Sequence, residues 1–148
     1  VLVPPEPESS LIRAMPPRAG VLRHILLLQR DVPLAAAFYE RALGLRVTVC
    51  TETYAELASE SPSDSTASNA PIGASLALQR ADAESQLTPG YSPIIHFEVD
   101  DIQARVNAAL SLGGRLDGKI QYETHGAVAA VRAPDGHMIG MYERASGR

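Results

Sequence analysis

The stretch HILLLQRDV, residues 24–32, indicates the fold, because it is matched 70 positions later by IIHFEVDDI, residues 94–102. In both copies an apolar run is followed by an aspartate and then by a stretch of helical periodicity, which ends at Gly44 in one copy and at Gly114 in the other. A repeated strand–helix unit of this size predicts two half-domains, because neither unit buries its apolar face alone. We therefore expect two units around one shared cleft, with any chemistry or binding between them.

The sequence around each copy predicts the same order of elements: one strand, one helix and three further strands. Asp31 and Asp101 are placed to cap the two helices by accepting backbone N–H groups, and Gly44 is suited to a left-handed helix end. The strands are predicted at residues 21–29, 46–51, 54–59 and 74–80, and again at 94–99, 119–123, 127–132 and 137–144. The predicted fold class is α+β, with two tandem βαβββ units that form a curved, mostly antiparallel eight-stranded sheet around one cleft.

Composition divides the chain into an arm and one domain. Residues 1–20 are rich in proline and predict an extended N-terminal arm outside the core. Residues 21–145 are predicted to form a single domain, with its units at 21–80 and 92–145, and a chain of 148 residues is long enough for one core. The polar residues 60–73 predict a mobile loop between two strands of the first unit.

Charge and cysteine content exclude several classes of function. The net charge is −4 and no run of basic residues exceeds two, which argues against a nucleic-acid partner. No apolar run approaches the ~20 residues that a membrane-spanning helix needs. The single cysteine, Cys50, excludes an internal disulfide framework and is expected to be a small buried hydrophobic residue. We expect an intracellular protein of a reducing compartment, either the cytoplasm or an organelle interior after removal of a targeting segment.

Three stretches carry a resemblance to a known family. The first is residues 24–44, with Asp31-Val32, Phe38-Tyr39 and Ala42-Leu43-Gly44; the second is Phe97-Glu98-Val99-Asp100-Asp101; the third is Pro134-Asp135-Gly136, followed by Ile139. Together with the repeat, these motifs resemble the vicinal oxygen chelate superfamily, which includes glyoxalase I, extradiol dioxygenases and the bleomycin- and fosfomycin-resistance proteins. The resemblance spans residues 21–145 and implies the fold, whereas the reaction stays open because this scaffold hosts many activities.

The resemblance also implies where a metal centre would lie. In metal-dependent members of the superfamily, each unit supplies one ligand from its first strand and one from its last. Carried over to this chain, those four positions fall on His24, Ala77, Ile94 and Gly140. Catalytic metal sites usually use three protein ligands, and only His24 has a lone pair to offer. The resemblance therefore implies a cleft that is retained without its metal, and we expect no cofactor and no glyoxalase I activity.

The candidate site is the concave face of the predicted sheet. Side chains alternate along a strand, so Ile94, His96 and Glu98 share one face, which the family comparison makes the concave one. A few polar groups in an apolar cleft suit a small organic ligand with a ring or a carbonyl group, and the bleomycin-resistance members bind ligands in this cleft without using metal. The predicted ligand-binding residues are His24, Gln79, Ile94, His96, Glu98, Met138 and Tyr142.

Two alternatives stay open at this point. In the first, the chain is a metal-dependent lyase or dioxygenase of the same superfamily that uses a displaced site of His24, His96 and Glu98, a set of two histidines and one carboxylate. In the second, it is a non-catalytic interaction or assembly subunit whose arm, residues 1–20, grips a partner, and His96 and Glu98 form a structural pair. His125 and His137 flank predicted turns and are expected to be exposed, so neither is a site candidate.

The resemblance further implies a homodimer. In this superfamily the cleft is often completed by pairing a unit of one chain with a unit of its neighbour, and a short domain gains buried area by doing so. The expected partners are therefore a small organic ligand and a second copy of the chain, with no nucleic acid and no membrane span.

Overall fold

A computed structural model describes residues 16–17, 19–20, 22–59, 75–87 and 90–146. Most of the predicted arm and the whole predicted loop at 60–73 lie outside these residues. The elements of the first unit are β1 (His24–Gln29), α1 (Val32–Leu43), β2 (Arg46–Cys50), β3 (Tyr54–Ala58) and β4 (Ser75–Arg80). Those of the second are β5 (Ile94–Glu98), α2 (Ile102–Ser111), β6 (Arg115–Glu123), β7 (Gly126–Arg132) and β8 (Met138–Arg144), and a one-turn 3-10 helix, Glu84–Gln86, lies between the units.

The strand order confirms the two tandem βαβββ units. In the first unit the order is β1-β4-β3-β2, and in the second it is β5-β8-β7-β6, so the two copies have the same topology. The first strand of each unit runs parallel to the last, and the other neighbours are antiparallel. The eight strands are divided between two four-stranded sheets, and β1 and β5 each lie at the edge of a sheet in the described part of the chain.

Both helices begin where the aspartates predict. A side-chain oxygen of Asp31 accepts the N–H of Leu34 at 3.1 Å, and that of Asp101 accepts the N–H of Ala104 at 3.0 Å. Each bond satisfies one of the backbone donors that a helix start leaves free. The first helix ends at Gly44, whose φ of 73° lies in the left-handed region that favours glycine.

The core lies between each sheet and its helix. Leu27 on β1 is buried in this core, and its repeat equivalent Phe97 on β5 is half-buried and packs against it. Because side chains alternate along a strand, His24 and Ile94 lie on the sheet faces opposite to this core, as the repeat predicts. The two units meet through contacts between α1 and α2 and through the turn that precedes β8.

Two local predictions were wrong. Strand β6 begins at Arg115 rather than at Lys119, because an irregularity in its pairing with β7, between Asp117 and Gln121, lets the strand continue through Gly118. Cys50 is exposed rather than buried, because β2 is the outer strand of its sheet and most of its side chains are solvated. Among the described residues, no helix combines the length and the hydropathy needed to cross a membrane.

Candidate functional site

A cavity of about 590 Å³ lies where the two units meet. Its walls come from the end of β1, the first turn of α1, the residues that link the units, and the turn and first residue of β8. This volume is in the range of small-molecule sites, which are mostly apolar with a few placed polar groups. The apolar lining includes Leu26, Leu28, Leu34, Pro93 and Met138, and the polar side chains Arg30, Asp31, Gln86, Asp135 and His137 also line the cavity.

Strand β1 contributes four consecutive residues to the lining, Leu26 to Gln29. Leu27 and Gln29 are buried toward the core, and Leu26 and Leu28 lie on the other face of the sheet. Leu26 remains 44% exposed, which leaves a large apolar side chain facing open space. A bound molecule would cover this surface, and covering apolar area stabilises a complex by about 25 cal/mol per Å².

A buried carboxylate lies behind the polar end of the cavity. Oδ2 of Asp135 accepts hydrogen bonds from Nε2 of Gln29 at 2.8 Å and from the hydroxyl of Tyr39 at 2.7 Å, and Oδ1 accepts the backbone N–H of His137 at 3.0 Å. Burial by itself raises the pKa of Asp135, but its interactions with His137 and Gln29 outweigh burial and lower that pKa below its usual value. The group is therefore a fixed anion at neutral pH.

Tyr39, the partner of Asp135 in this hydrogen bond, has a raised pKa rather than a lowered one. Burial raises the pKa of its phenol well above the usual value, and the charge of Asp135 and the hydrogen bond to it raise it further. Tyr39 thus stays a neutral donor.

His137 lies in the cavity wall, and the prediction that it is exposed was wrong. Its Nδ1 is 3.0 Å from Oδ2 of Asp135, and only 26% of its side chain is accessible. The reason is tertiary, because the turn at 133–136 folds back against β1 and α1 and carries the imidazole with it. One local signal could have found the pair: an aspartate followed two residues later by a histidine across Gly136 forms a turn in which the carboxylate accepts the following N–H.

Of the residues predicted from the sequence to bind ligand, Met138 lines this cavity. The others lie outside its lining, on strands β1, β4, β5 and β8. Ile94 is 41% exposed beside Met138, its partner in the β5–β8 register. His24 is half-buried, and its Nδ1 has no hydrogen-bond partner among the described residues.

The remaining predicted residues make separate contacts. Glu98 pairs with Nε of Arg144 at 3.2 Å, and His96 lies opposite Gly140 in the register. The hydroxyl of Tyr142 donates to the backbone oxygen of His125 at 2.9 Å, and the two rings stack. Gln79 is exposed near the end of β4. The structure therefore spreads these residues along the sheet faces opposite to the core rather than gathering them at one point.

In the first unit, the sheet face opposite to the core also holds a polar group that the sequence did not single out. Glu56 lies next to Ala77 in the β3–β4 register and accepts a hydrogen bond from the hydroxyl of Tyr54. That hydrogen bond is the main reason why the pKa of Tyr54 is raised. Nη2 of Arg23 lies 4.0 Å from the same carboxylate, and a pair so exposed to solvent contributes little to stability.

The residues at the four positions that the resemblance assigns to a metal do not fit a divalent ion. Ala77 and Gly140 offer no lone pair, and neither does Ile94, so His24 is the one ligand among the four. Within the described ranges, no three His, Cys, Asp or Glu side chains are grouped so that they could hold a metal ion. His24, His96 and Glu98, the displaced site considered in the sequence analysis, all lie within these ranges and are not grouped in this way.

Comparison with known proteins identifies the scaffold. The sequence profile of the Glyoxalase/Bleomycin resistance protein/Dioxygenase superfamily matches residues 21–141. No curated protein matches the sequence. Among solved structures, a glyoxalase-related enzyme from Fulvimarina pelagi aligns with a TM-score of 0.66 at 18% identity, over 85% of this chain and 89% of that one.

Two further solved structures have the same fold. A glyoxalase family protein from Bacillus cereus aligns with a TM-score of 0.66 at 19% identity, over 87% of this chain and 98% of that one. A glyoxalase/bleomycin resistance protein/dioxygenase family enzyme from Burkholderia phytofirmans PsJN aligns with a TM-score of 0.65 at 15% identity, over 84% and 99%. At these identities the likeness is one of fold alone.

Proposed function

The chain belongs to the Glyoxalase/Bleomycin resistance protein/Dioxygenase superfamily, and we propose that it binds a small organic molecule at the junction of its two units without the help of a metal ion. The observation that carries this proposal is the cavity of about 590 Å³, which combines an apolar wall of Leu26, Leu28 and Met138 with polar side chains. Among these polar side chains is His137, whose Nδ1 lies 3.0 Å from the carboxylate of Asp135. Such a combination provides burial for an apolar ligand body and one directed contact for its orientation.

The chemistry of the cleft supports binding over metal-assisted catalysis. Three of the four positions that hold the metal in metal-dependent relatives are Ala77, Ile94 and Gly140, which have no ligand atoms. A purely structural cleft would not need an open apolar wall, because packing its exposed leucines against other apolar groups would stabilise the fold. We therefore propose that the chain is a binding protein and not a glyoxalase I.

The concave faces extend the proposed site beyond the cavity. A ligand longer than the cavity would pass Met138 and meet Ile94, its register partner, and then His96 on the same face of β5. The other predicted contacts, His24, Gln79, Glu98 and Tyr142, lie on the same concave faces. We include them as an outer part of the site, which supplies polar contacts to larger ligands.

A ligand screen with a cavity-filling variant tests this function. We would record thermal shifts for a panel of aromatic metabolites and drugs with the wild type, with Leu28→Trp, which fills the cavity, and with Leu110→Trp as the matched control. Leu110 is an exposed leucine on α2 outside the cavity lining. Stabilising compounds that are lost with Leu28→Trp and kept with Leu110→Trp would support the proposal.

Other outcomes of the screen would reject it. Compounds that bind equally well to Leu28→Trp would place binding elsewhere. The absence of any stabilising compound, together with a stable complex captured through residues 1–20, would favour an assembly subunit instead. Loss of the larger ligands with Ile94→Trp, with smaller ones retained, would support the outer part of the site.

We also propose that the protein is a homodimer. Leu26 and Ile94 are large, exposed apolar residues, and each lies on an edge strand of its sheet. A second copy that packed one of its units against these edges would cover both residues. It would also enclose the cleft on one more side.

A further inference from the structure

The two nitrogens of the His137 ring lie in different surroundings. Nδ1 is 3.0 Å from Oδ2 of Asp135, is buried and makes no hydrogen bond within the described residues, although 26% of the side chain is accessible. The accessible part therefore belongs to the other atoms of the residue, and Nε2 lies across the ring from the buried edge. Since His137 lines the cavity, this second nitrogen is the polar atom that the side chain can present to a bound molecule.

The surroundings of Asp135 decide where the proton of a neutral His137 lies. The carboxylate is 7% exposed and is fixed by Gln29, Tyr39 and the backbone of His137. Because Nδ1 lies 3.0 Å from this anion without a hydrogen bond to it, the preference is electrostatic: a lone pair on Nδ1 would be repelled by the carboxylate, whereas a proton there is attracted. Nε2 is then left without a proton, as a hydrogen-bond acceptor directed away from the carboxylate.

The charges of the lining disfavour an anionic ligand. Within the described part of the wall, the cation is Arg30, and its guanidinium is already paired with both carboxylate oxygens of Glu84. Asp31 and Asp135 each place a carboxylate in the wall. A ligand carboxylate or phosphate would face two carboxylates and one exposed guanidinium that Glu84 already shares, while an uncharged donor would meet the lone pair of Nε2.

We propose that the cavity selects an uncharged, apolar molecule with a hydroxyl group, such as a phenol, which donates a hydrogen bond to Nε2 of His137. Asp135 acts as the positioning residue, because it holds the imidazole in the Nδ1-protonated form. This inference rests on the proposed binding function and adds the chemical class of ligand to it. His137 would distinguish a hydroxyl group from the corresponding methyl ether, since the ether has no proton to donate.

The first test reads the histidine tautomer in the absence of any ligand. The chain has four histidines, so ¹⁵N-labelled imidazole spectra of the wild type, assigned with His24→Gln, His96→Gln and His125→Gln, identify His137 by elimination. We expect His137 as the Nδ1–H tautomer, with Nε2 unprotonated. An Nε2–H tautomer would overturn the inference, and it would do so without any bearing on whether the cavity binds ligands.

The second test measures selectivity with matched probes. Wild type, His137→Phe and the control His125→Phe, an exposed histidine outside the cavity lining, would be titrated with 1-naphthol, 1-methoxynaphthalene and 1-naphthoate. The wild type and the control should prefer the naphthol over the ether by about threefold to tenfold, which is the worth of one hydrogen bond, and should bind the naphthoate least. His137→Phe should lose the preference and keep the binding of the ether.

The results separate the inference from the function on which it rests. If the ether binds to the wild type and is lost with Leu28→Trp, the cavity binds ligands. An unchanged preference in His137→Phe, or a preference for the naphthoate, then overturns only the inference about hydroxyl donors. If none of the probes nor any compound of the wider panel binds, the proposed function itself is overturned.

Discussion

The hydroxyl of Tyr39 donates a hydrogen bond of 2.7 Å to Oδ2 of Asp135 and thereby joins the helix of the first unit to a turn of the second. Both groups are buried, and the same oxygen also accepts from Gln29, on the first strand. A buried carboxylate that loses a donor keeps its desolvation cost, so removing this contact lowers the free energy of unfolding. Asp135 also lies 3.0 Å from Nδ1 of His137, so the carboxylate that links the two units is the one beside this histidine of the cavity wall.

Replacing Tyr39 by Phe should destabilise the fold. The change removes one donor to a buried charge and keeps the ring, so we expect the free energy of unfolding to fall by about 1–3 kcal/mol. Urea denaturation of the variant measures this, with Tyr122→Phe, a change at an exposed tyrosine, as the control that should stay within about 0.5 kcal/mol of the wild type. Equal stabilities of the two variants would show that the Tyr39 contact contributes nothing.

Acid should destabilise the protein partly through Asp135. Its pKa is lowered in the folded state, so the unfolded chain binds a proton first as the pH falls. The stabilisation is thus fully present above the unfolded pKa of about 3.9 and is lost as the pH falls from there through the lowered folded value. Below about pH 4, the free energy of unfolding should fall more steeply in the wild type than in Asp135→Asn. Asp117→Asn, at an exposed position, should follow the wild type; parallel curves for wild type and Asp135→Asn would contradict the assignment.

Substitution by alanine should destabilise the fold more at Gly114 than at Gly140. A Cβ on Gly114 would lie 2.9 Å from the backbone oxygen of Ala109, which cannot move without distorting the helix end, so we expect a cost of about 1–3 kcal/mol. A Cβ on Gly140 would lie 2.5 Å from Nδ1 of His96, an exposed side chain that can rotate away. Gly140→Ala should therefore cost less than about 1 kcal/mol and should shift the imidazole signals of His96. A larger loss for Gly140→Ala than for Gly114→Ala would mean that His96 is held in place.

The purified protein should contain no stoichiometric divalent metal. The reason is the ligand set, in which His24 is accompanied by Ala77, Ile94 and Gly140, and three protein ligands are the usual minimum for a catalytic site. Elemental analysis of protein prepared without chelator measures this, and lactoylglutathione lyase activity should be undetectable. Near-stoichiometric Zn, Ni, Fe or Mn that is lost in His24→Ala would instead support the displaced site of His24, His96 and Glu98.

Sedimentation at micromolar concentration should show a dimer. Leu26 and Ile94 are the exposed apolar residues on which this expectation depends, so Leu26→Glu and Ile94→Glu should shift the equilibrium toward monomer. Leu110→Glu, at an exposed leucine of α2, is the control that should leave the association state unchanged. A wild type that stays monomeric would reject the dimer but not the cavity, which forms within one chain.

The elements of the fold could be predicted from the sequence because their signals are local. Asp31 and Asp101 cap helices through N–H groups three residues away, and Gly44 ends the first helix through its own backbone conformation. The repeat then predicted that both units share one topology, and that His24 and Ile94 lie on equivalent faces. The start of β6 was missed because the pairing of β6 with β7 is irregular between Asp117 and Gln121, which disrupts the alternation of side chains.

The site depended on contacts that no local pattern contains. Gln29 and Asp135 are 106 residues apart in the chain, and their hydrogen bond places the turn that carries His137 against the first unit. The repeat could not predict it either, because the positions equivalent to Gln29 and Tyr39 in the second unit are Val99 and Ala109, which have no polar side chain. The sequence by itself determined the βαβββ units, since they follow from residue type and spacing, whereas the missing metal ligands stay an implication of the family resemblance. Only the tertiary structure decided which side chains line the cavity, because burial depends on what the other unit packs against them.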